Sequence, residues 1–221
     1  MTSRKEWPVP TWKIVSANGG TTRDLLAETS LVCLKGFDRY PIYKKADISM
    51  WRGMAPFVLL MPAQNYVHRR ELKKIWYLRL CLLERGFDIF KLNGVLTYVI
   101  EFEDGTQRSA TIIPPVVEET IEDNGSRVMT INDGLHRCYL AGLQFSNVDV
   151  LGVRLHHTER LKYPYYAYPN ASSWDGVEEL DELPADYEKK LYRTTHHRDY
   201  YRDFDAVFGN MSTHRPRDKS S

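Results

Sequence analysis

The residues best equipped for chemistry form one run, Asn132-Asp133-Gly134-Leu135-His136-Arg137. It follows a short apolar stretch, Val128–Ile131, and leads into Leu135–Leu143, whose small and apolar residues have helical spacing. A strand that ends in glycine and enters a helix exposes the first backbone N–H groups of that helix. Those donors and the helix dipole favour an anion. Gly134 permits close approach or a positive φ. A cation at Arg137 opposes the dipole, but its planar fork suits a phosphate or carboxylate. His136 can donate to a phosphate oxygen or handle a proton near neutral pH. Asp133 has four open uses: orienting His136 or Arg137, capping the helix, holding Mg²⁺, or acting as a base. A plain surface turn, with Asp133 as N-cap and His136 and Arg137 solvated, fits the same residue types equally well.

The elements that must position this run are legible to different degrees. Residues 67–85 give the clearest helix, with Leu72, Ile75, Trp76, Leu78, Leu82 and Leu83 at three- and four-residue spacings and Gly86 as its stop. Its basic residues Arg69, Arg70, Lys73, Lys74 and Arg79 read first as a solvated face. Residues 95–113 read as a hairpin turning at Asp104-Gly105, ended by Pro114-Pro115. Val116-Val117 continues as a short extended piece, Glu122–Gly125 is a turn, and Val148–Leu155 is another strand. Thr21 is a candidate N-cap for a short helix. Residues 31–60 carry mixed signals, with short apolar runs that read as strands broken by Gly36, Pro41, Gly53 and Pro56. Leu183–Gly209 reads as one or two helices.

Other constellations are weaker. His156 and His157 are adjacent at a strand end and point to opposite faces, which does not suit one metal ion. His196 and His197 read as surface residues. The run Tyr163, Tyr165, Tyr166 and Tyr168 could stack on a base, but covering apolar surface is the favoured use. Arg193, Arg198 and Arg202 interleave with Asp199, Asp203 and Asp205, which points to internal ion pairs.

The 221 residues, 43% hydrophobic and 27% charged, suffice for a real core. A net charge of +1 argues against non-specific DNA binding. No apolar run is long enough to span a bilayer, and residues 1–7 have no signal-peptide core, so a cytoplasmic location with no membrane partner is expected. Cys33, Cys81 and Cys138 are odd in number and widely spaced, which predicts neither a disulfide framework nor a zinc site.

The stretch Val128–Ala141, with Asp133-Gly134-Leu135-His136-Arg137 between strand and helix, resembles the signature of the ParB/sulfiredoxin-like superfamily. The likeness covers residues 112–155. It implies that the turn and helix N-terminus hold nucleotide phosphates, through Gly134, Leu135, His136 and Arg137. Branches of the superfamily clamp DNA with CTP, repair oxidised peroxiredoxins, or phosphorylate a free amino acid. Leu135 stands where the repair branch carries cysteine, which counts against that chemistry. The upstream Pro–Arg arm of the DNA clamps is not evident.

The expectation is therefore an α/β (α+β) fold, a small mixed sheet with a long helix before it and a helical C-terminal extension. Its divisions are an arm and irregular region (1–66), the core (67–156), an aromatic loop with the extension (157–210) and a disordered tail (211–221). The expected function is nucleotide binding (ATP, ADP or CTP, with Mg²⁺) and phosphoryl transfer to a small hydroxyl-bearing substrate. Asp133 and His136 are the candidate catalytic residues, joined by a second carboxylate, Glu119 or its neighbour Glu118. Glu71 is also available, and Asp133 is the candidate metal ligand. DNA binding or cleavage is the first alternative, and a non-catalytic scaffold the second.

Overall fold

The computed structural model describes residues 11–54, 59–122, 124–144, 146–209 and 211. Among the described residues, ten strands and five short or medium helices form two sheets, a small ladder and the layers around them. The central sheet has five strands in the order β2 (Asp47–Met54), β9 (Val148–Arg154), β7 (Val116–Ile121), β8 (Arg127–Asp133) and β3 (Leu60–Met61). It is mixed: β7 runs parallel to β9 and antiparallel to β8. The second sheet joins β1 (Trp12–Gly19), β5 (Leu96–Phe102) and β6 (Gln107–Ile112). Its β5–β6 hairpin turns at Gly105, as the Asp-Gly pair predicts. A short parallel ladder pairs β4 (Tyr66–His68) with β10 (Glu178–Leu180).

Both faces of the central sheet are buried, by different partners. One face contributes Val117, Ile131, Val148 and Val150 to a cluster with α2 (Arg69–Leu83), α3 (Leu135–Leu143) and the second sheet. Leu72, Leu78 and Leu82 are the inward row of α2, the stripe that its spacing predicts. Trp51 lies across Gly152 so closely that a Cβ there would sit 2.1 Å from its ring. The other face contributes Val116, Leu151 and Val153 to a cluster with Leu25 of α1 (Thr22–Thr29) and Phe204 and Phe208 of α5 (Phe204–Phe208). The remaining helix, α4 (His157–Lys162), follows β9.

Three elements differ from their sequence reading. The segment 1–66, expected to be an arm and irregular region, supplies the strand β1 within its described part besides β2 and β3, while α1 starts at the Thr21 cap that the sequence indicates, closed by a Thr21–Asp24 capping box. The piece at Val116-Val117 extends to six residues and is the most central strand of its sheet. Its polar residues Glu118, Glu119 and Thr120 are buried and paired, so alternation fails as a signal there. The C-terminal extension is largely irregular, with a 3₁₀ turn at His197–Tyr200 and the five-residue α5 as its helical parts within Leu183–Gly209. Its backbone instead bonds distant segments: Arg193 N–H to Tyr166 O, Lys35 N–H to Tyr201 O, and Asp203 N–H to Cys33 O. The tail expected after Met211 lies outside the described residues.

Candidate functional site

Strand β8 ends at Asp133, and Gly134 turns the chain into α3 with φ 85°. That left-handed conformation favours glycine, and packing reinforces the choice. A Cβ on Gly134 would lie 2.7 Å from Pro115 Cβ and 2.9 Å from Arg137 Nη2. Helix α3 begins with no side-chain cap, so Asp133 does not serve as the N-cap. Its carboxylate instead accepts from Arg137 Nη2 at 2.8 Å. Arg137 also donates through Nη1 to the carbonyl of Ile113. The Arg137 side chain is 7% exposed and the Asp133 side chain 36%, so the pair closes the base of the turn and leaves the aspartate reachable.

Three clefts meet at Asp133. The largest, about 580 Å³, lies between the turn, α2 and the β5–β6 sheet. Gly134, Leu135, His136 and Arg137 line its polar end with His68 and Glu71, while Ile75, Leu78, Tyr98 and Ile112 form an apolar wall. A second of about 230 Å³ opens toward Lys35, Tyr201 and Arg202. A third of about 180 Å³ holds Lys190 against residues Asn132–His136. Lys190 Nζ donates to the Tyr166 hydroxyl and sits 4.6 Å over that ring.

His136 accepts the His68 backbone N–H at Nε2, 3.1 Å away, which places the proton of the neutral ring on Nδ1. Burial pulls its pKa from 6.5 to about 4; Glu71 raises it, and His68 and Arg137 lower it further. His136 is thus a neutral imidazole at physiological pH.

The structure gathers Asp133, Gly134, Leu135, His136 and Arg137 and adds Glu71, one of the upstream carboxylates considered. It does not bring Glu119 there. Glu119 pairs with Met129, whereas Asp133 stands opposite Val116, so Glu119 lies three residues along β7 from the turn, in the middle of the ladder. Glu119 is enclosed by Arg154 and Arg160, each at 3.1 Å, and by Arg127 at 3.7 Å. Glu118 faces the other side, bound to Tyr43 and Arg202. The sequence does not mark His68, Lys190 or Gln64, which lines both the largest and the third cleft, as site residues. His68 stood alone in the sequence, and Lys190 carried no local signal, because its role depends on where the extension lies.

The remaining candidates are structural. Tyr163, Tyr165 and Tyr166 are buried, in keeping with the covering role. His197 stacks on Tyr192 at 3.7 Å. Arg193 and Arg202 pair with Glu122 and Glu118 rather than with the interleaved aspartates. Arg69, Lys74 and Arg79 pair with Asp181, Glu71 and Asp88. Cys138 is a free thiol that burial pushes up to about 12, so it is protonated and inert. Among the described residues, no group of three or more His, Cys, Asp or Glu side chains could hold a metal ion, and no helix is long and apolar enough to cross a membrane.

A buried strand that breaks at Asp-Gly into an uncapped helix, beside a large cleft and inside a mixed sheet, is the class of site that the sequence resemblance leads one to expect. The chain matches the family model of the ParB CE domain over residues 24–178, most of its length, and it belongs to that family. No curated protein and no solved structure matches it.

Proposed function

We propose that the 580 Å³ cleft binds a nucleotide, with its phosphates at Gly134–Arg137, and that the bound nucleotide gives a phosphoryl group to a small hydroxyl-bearing acceptor. The observation that carries this reading is that α3 starts without a side-chain cap and opens into the cleft. Its first N–H groups and its dipole are thereby offered to an anion. Arg137, held by Asp133 and Ile113, supplies a fixed cation that needs no reordering on binding. Lys190 adds charge from the other side of the turn. The wall of Ile75, Leu78 and Ile112 with Tyr98 suits the flat, weakly polar body of a base.

In the transfer, the acceptor oxygen forms a bond to the terminal phosphorus as the bridging P–O bond breaks toward the departing nucleotide. The hydroxyl proton passes to a carboxylate, and of the three that line this cleft, Asp133, Glu71 and Asp205, Asp133 lies at the turn and Glu71 lies beside His136. Among the described residues no side-chain cluster forms a cage for an ion, and in this reading Mg²⁺ arrives on the phosphates, with Asp133 as the carboxylate at the turn.

Thermal-shift measurements with ATP, ADP and CTP, each with and without Mg²⁺, test the binding. The expected result is a nucleotide-dependent rise in melting temperature that Gly134→Ala abolishes, because the new Cβ collides with Pro115 and the φ is unfavourable. A folded wild-type protein with no shift for any nucleotide overturns the reading. Duplex DNA is a second reading, favoured by Arg127, Arg154 and Arg160 sharing the Glu119 carboxylate, which leaves local positive charge. Electrophoretic retention of DNA that weakens steeply with salt would support it.

A further inference from the structure

The turn is braced from behind by residues that do not line the 580 Å³ cleft. Glu118 and Arg202 form an ion pair whose side chains are 1% and 0% exposed. Arg202 Nε donates to Glu118 Oε2 at 2.9 Å, and Nη2 donates to Oε1. The other Arg202 N–H groups donate to the carbonyls of Tyr163, Pro164 and Tyr200. The Tyr43 hydroxyl donates to Glu118 Oε2 at 2.7 Å and accepts from Asn132 Nδ2 at 2.9 Å. Burial holds the Tyr43 phenol well above its ordinary pKa, and Glu118 adds to the effect, so it stays a donor. Burial opposes the charge on Arg202, but Glu118 and Tyr43 outweigh it.

Buried ion pairs are poor stabilisers, since desolvation offsets their attraction; geometric specificity is their better-attested use. Here the network ends on the residue before Asp133. The ladder shifts register between Val116 and Val117, whose partners are Asp133 and Ile131, so Asn132 has no partner residue in β7. Its side chain takes over the fixing that a ladder partner would provide. Arg202 lies beyond residue 178, where the family match ends, so the brace is completed by the C-terminal extension.

We infer that Arg202, Glu118 and Tyr43 are positioning residues, which act through Asn132 to fix the strand end that presents Asp133 and Gly134 at the cleft. The consequence for ligand affinity rests on the nucleotide reading; the consequence for the geometry of the turn does not.

Tyr43→Phe in the full chain tests this, because it keeps the ring and the Glu118–Arg202 pair and removes one hydroxyl. Asn132→Ala, at a half-buried position, cuts the same link from the other end. Amide hydrogen exchange without nucleotide, melting temperature and Mg²⁺-nucleotide affinity are measured together. Both variants should speed exchange at Gly134–Arg137 by about tenfold while exchange in the core strands and the melting temperature change little. Arg202→Lys should fall between wild type and Arg202→Met in turn exchange. Nucleotide affinity should drop by about tenfold in step. Unchanged turn exchange in Tyr43→Phe and Asn132→Ala, or a rise no larger than that of the whole molecule, overturns the inference. If the wild type binds no nucleotide, the functional reading fails and the exchange measurements still decide this one.

Discussion

At Arg137, a cation in the first turn of a helix opposes the dipole, and the fold resolves that conflict locally. Asp133 supplies the opposing charge four residues earlier, and the Ile113 carbonyl takes a second donor. The arginine is therefore both a brace for the turn and a preset charge facing the cleft. His136 carries the pH response of the site. Its folded pKa of about 4 lies below the ordinary 6.5, so the unfolded chain binds a proton more readily between those values. The stabilisation is complete above pH 6.5 and is lost as pH falls toward 4, on the order of 2 kcal/mol for a half-buried group. Urea midpoints measured across that window should fall with pH in the wild type. A His136→Gln variant should show a flatter profile, and an equal slope in the two proteins would refute the assignment.

Among the elements, α1 and α2 show how local rules suffice when nothing distant contradicts them. Thr21 accepts the Asp24 N–H at 3.1 Å, and Asp24 reaches back to the Thr21 N–H at 3.4 Å. Replacing Thr21 with alanine should cost about 1 kcal/mol, read as a lower denaturation midpoint with unchanged slope. Helix α2, the β5–β6 hairpin and α3 follow from spacing, the Asp-Gly turn and Gly134. Strand β7 does not. Its Glu118-Glu119-Thr120 looks like a solvated stretch, and only charges brought from α4, β8, β9 and the C-terminal extension make it interior. The extension is the converse case. Its residues have adequate helix propensity, but Arg193, Tyr201 and Arg202 bind separate parts of the molecule, and that spread is incompatible with one helix.

At the scale of the whole molecule, the extension is part of the core rather than an appendage. Phe204 and Phe208 fill the cluster on the α1 face, and Arg202 neutralises a fully buried glutamate. A chain ending at residue 178, the limit of the family match, would leave Glu118 buried and unpaired. That alone costs about 3–5 kcal/mol, against a typical total stability of about 5–15 kcal/mol. The truncated chain should therefore lack the cooperative thermal transition of the full chain by circular dichroism. A sharp transition near the wild-type temperature would show that the extension is dispensable for folding.

The strand–Asp-Gly–helix turn was determined by sequence alone, because its three causes are local: an apolar run, a residue free to take positive φ, and helical spacing after it. The mixed α+β class follows from the same kind of short-range pattern. Which carboxylate joins the turn was decided by tertiary structure. Glu119 is nearer in sequence, but it sits three residues from the turn along β7 and is held by Arg127, Arg154 and Arg160, while the packing of α2 brings Glu71 to the cleft. The brace behind Asn132 is likewise invisible in sequence. Its members come from residues 43, 118, 132 and 202, and a buried charge declares its partner only once the chain has folded around it.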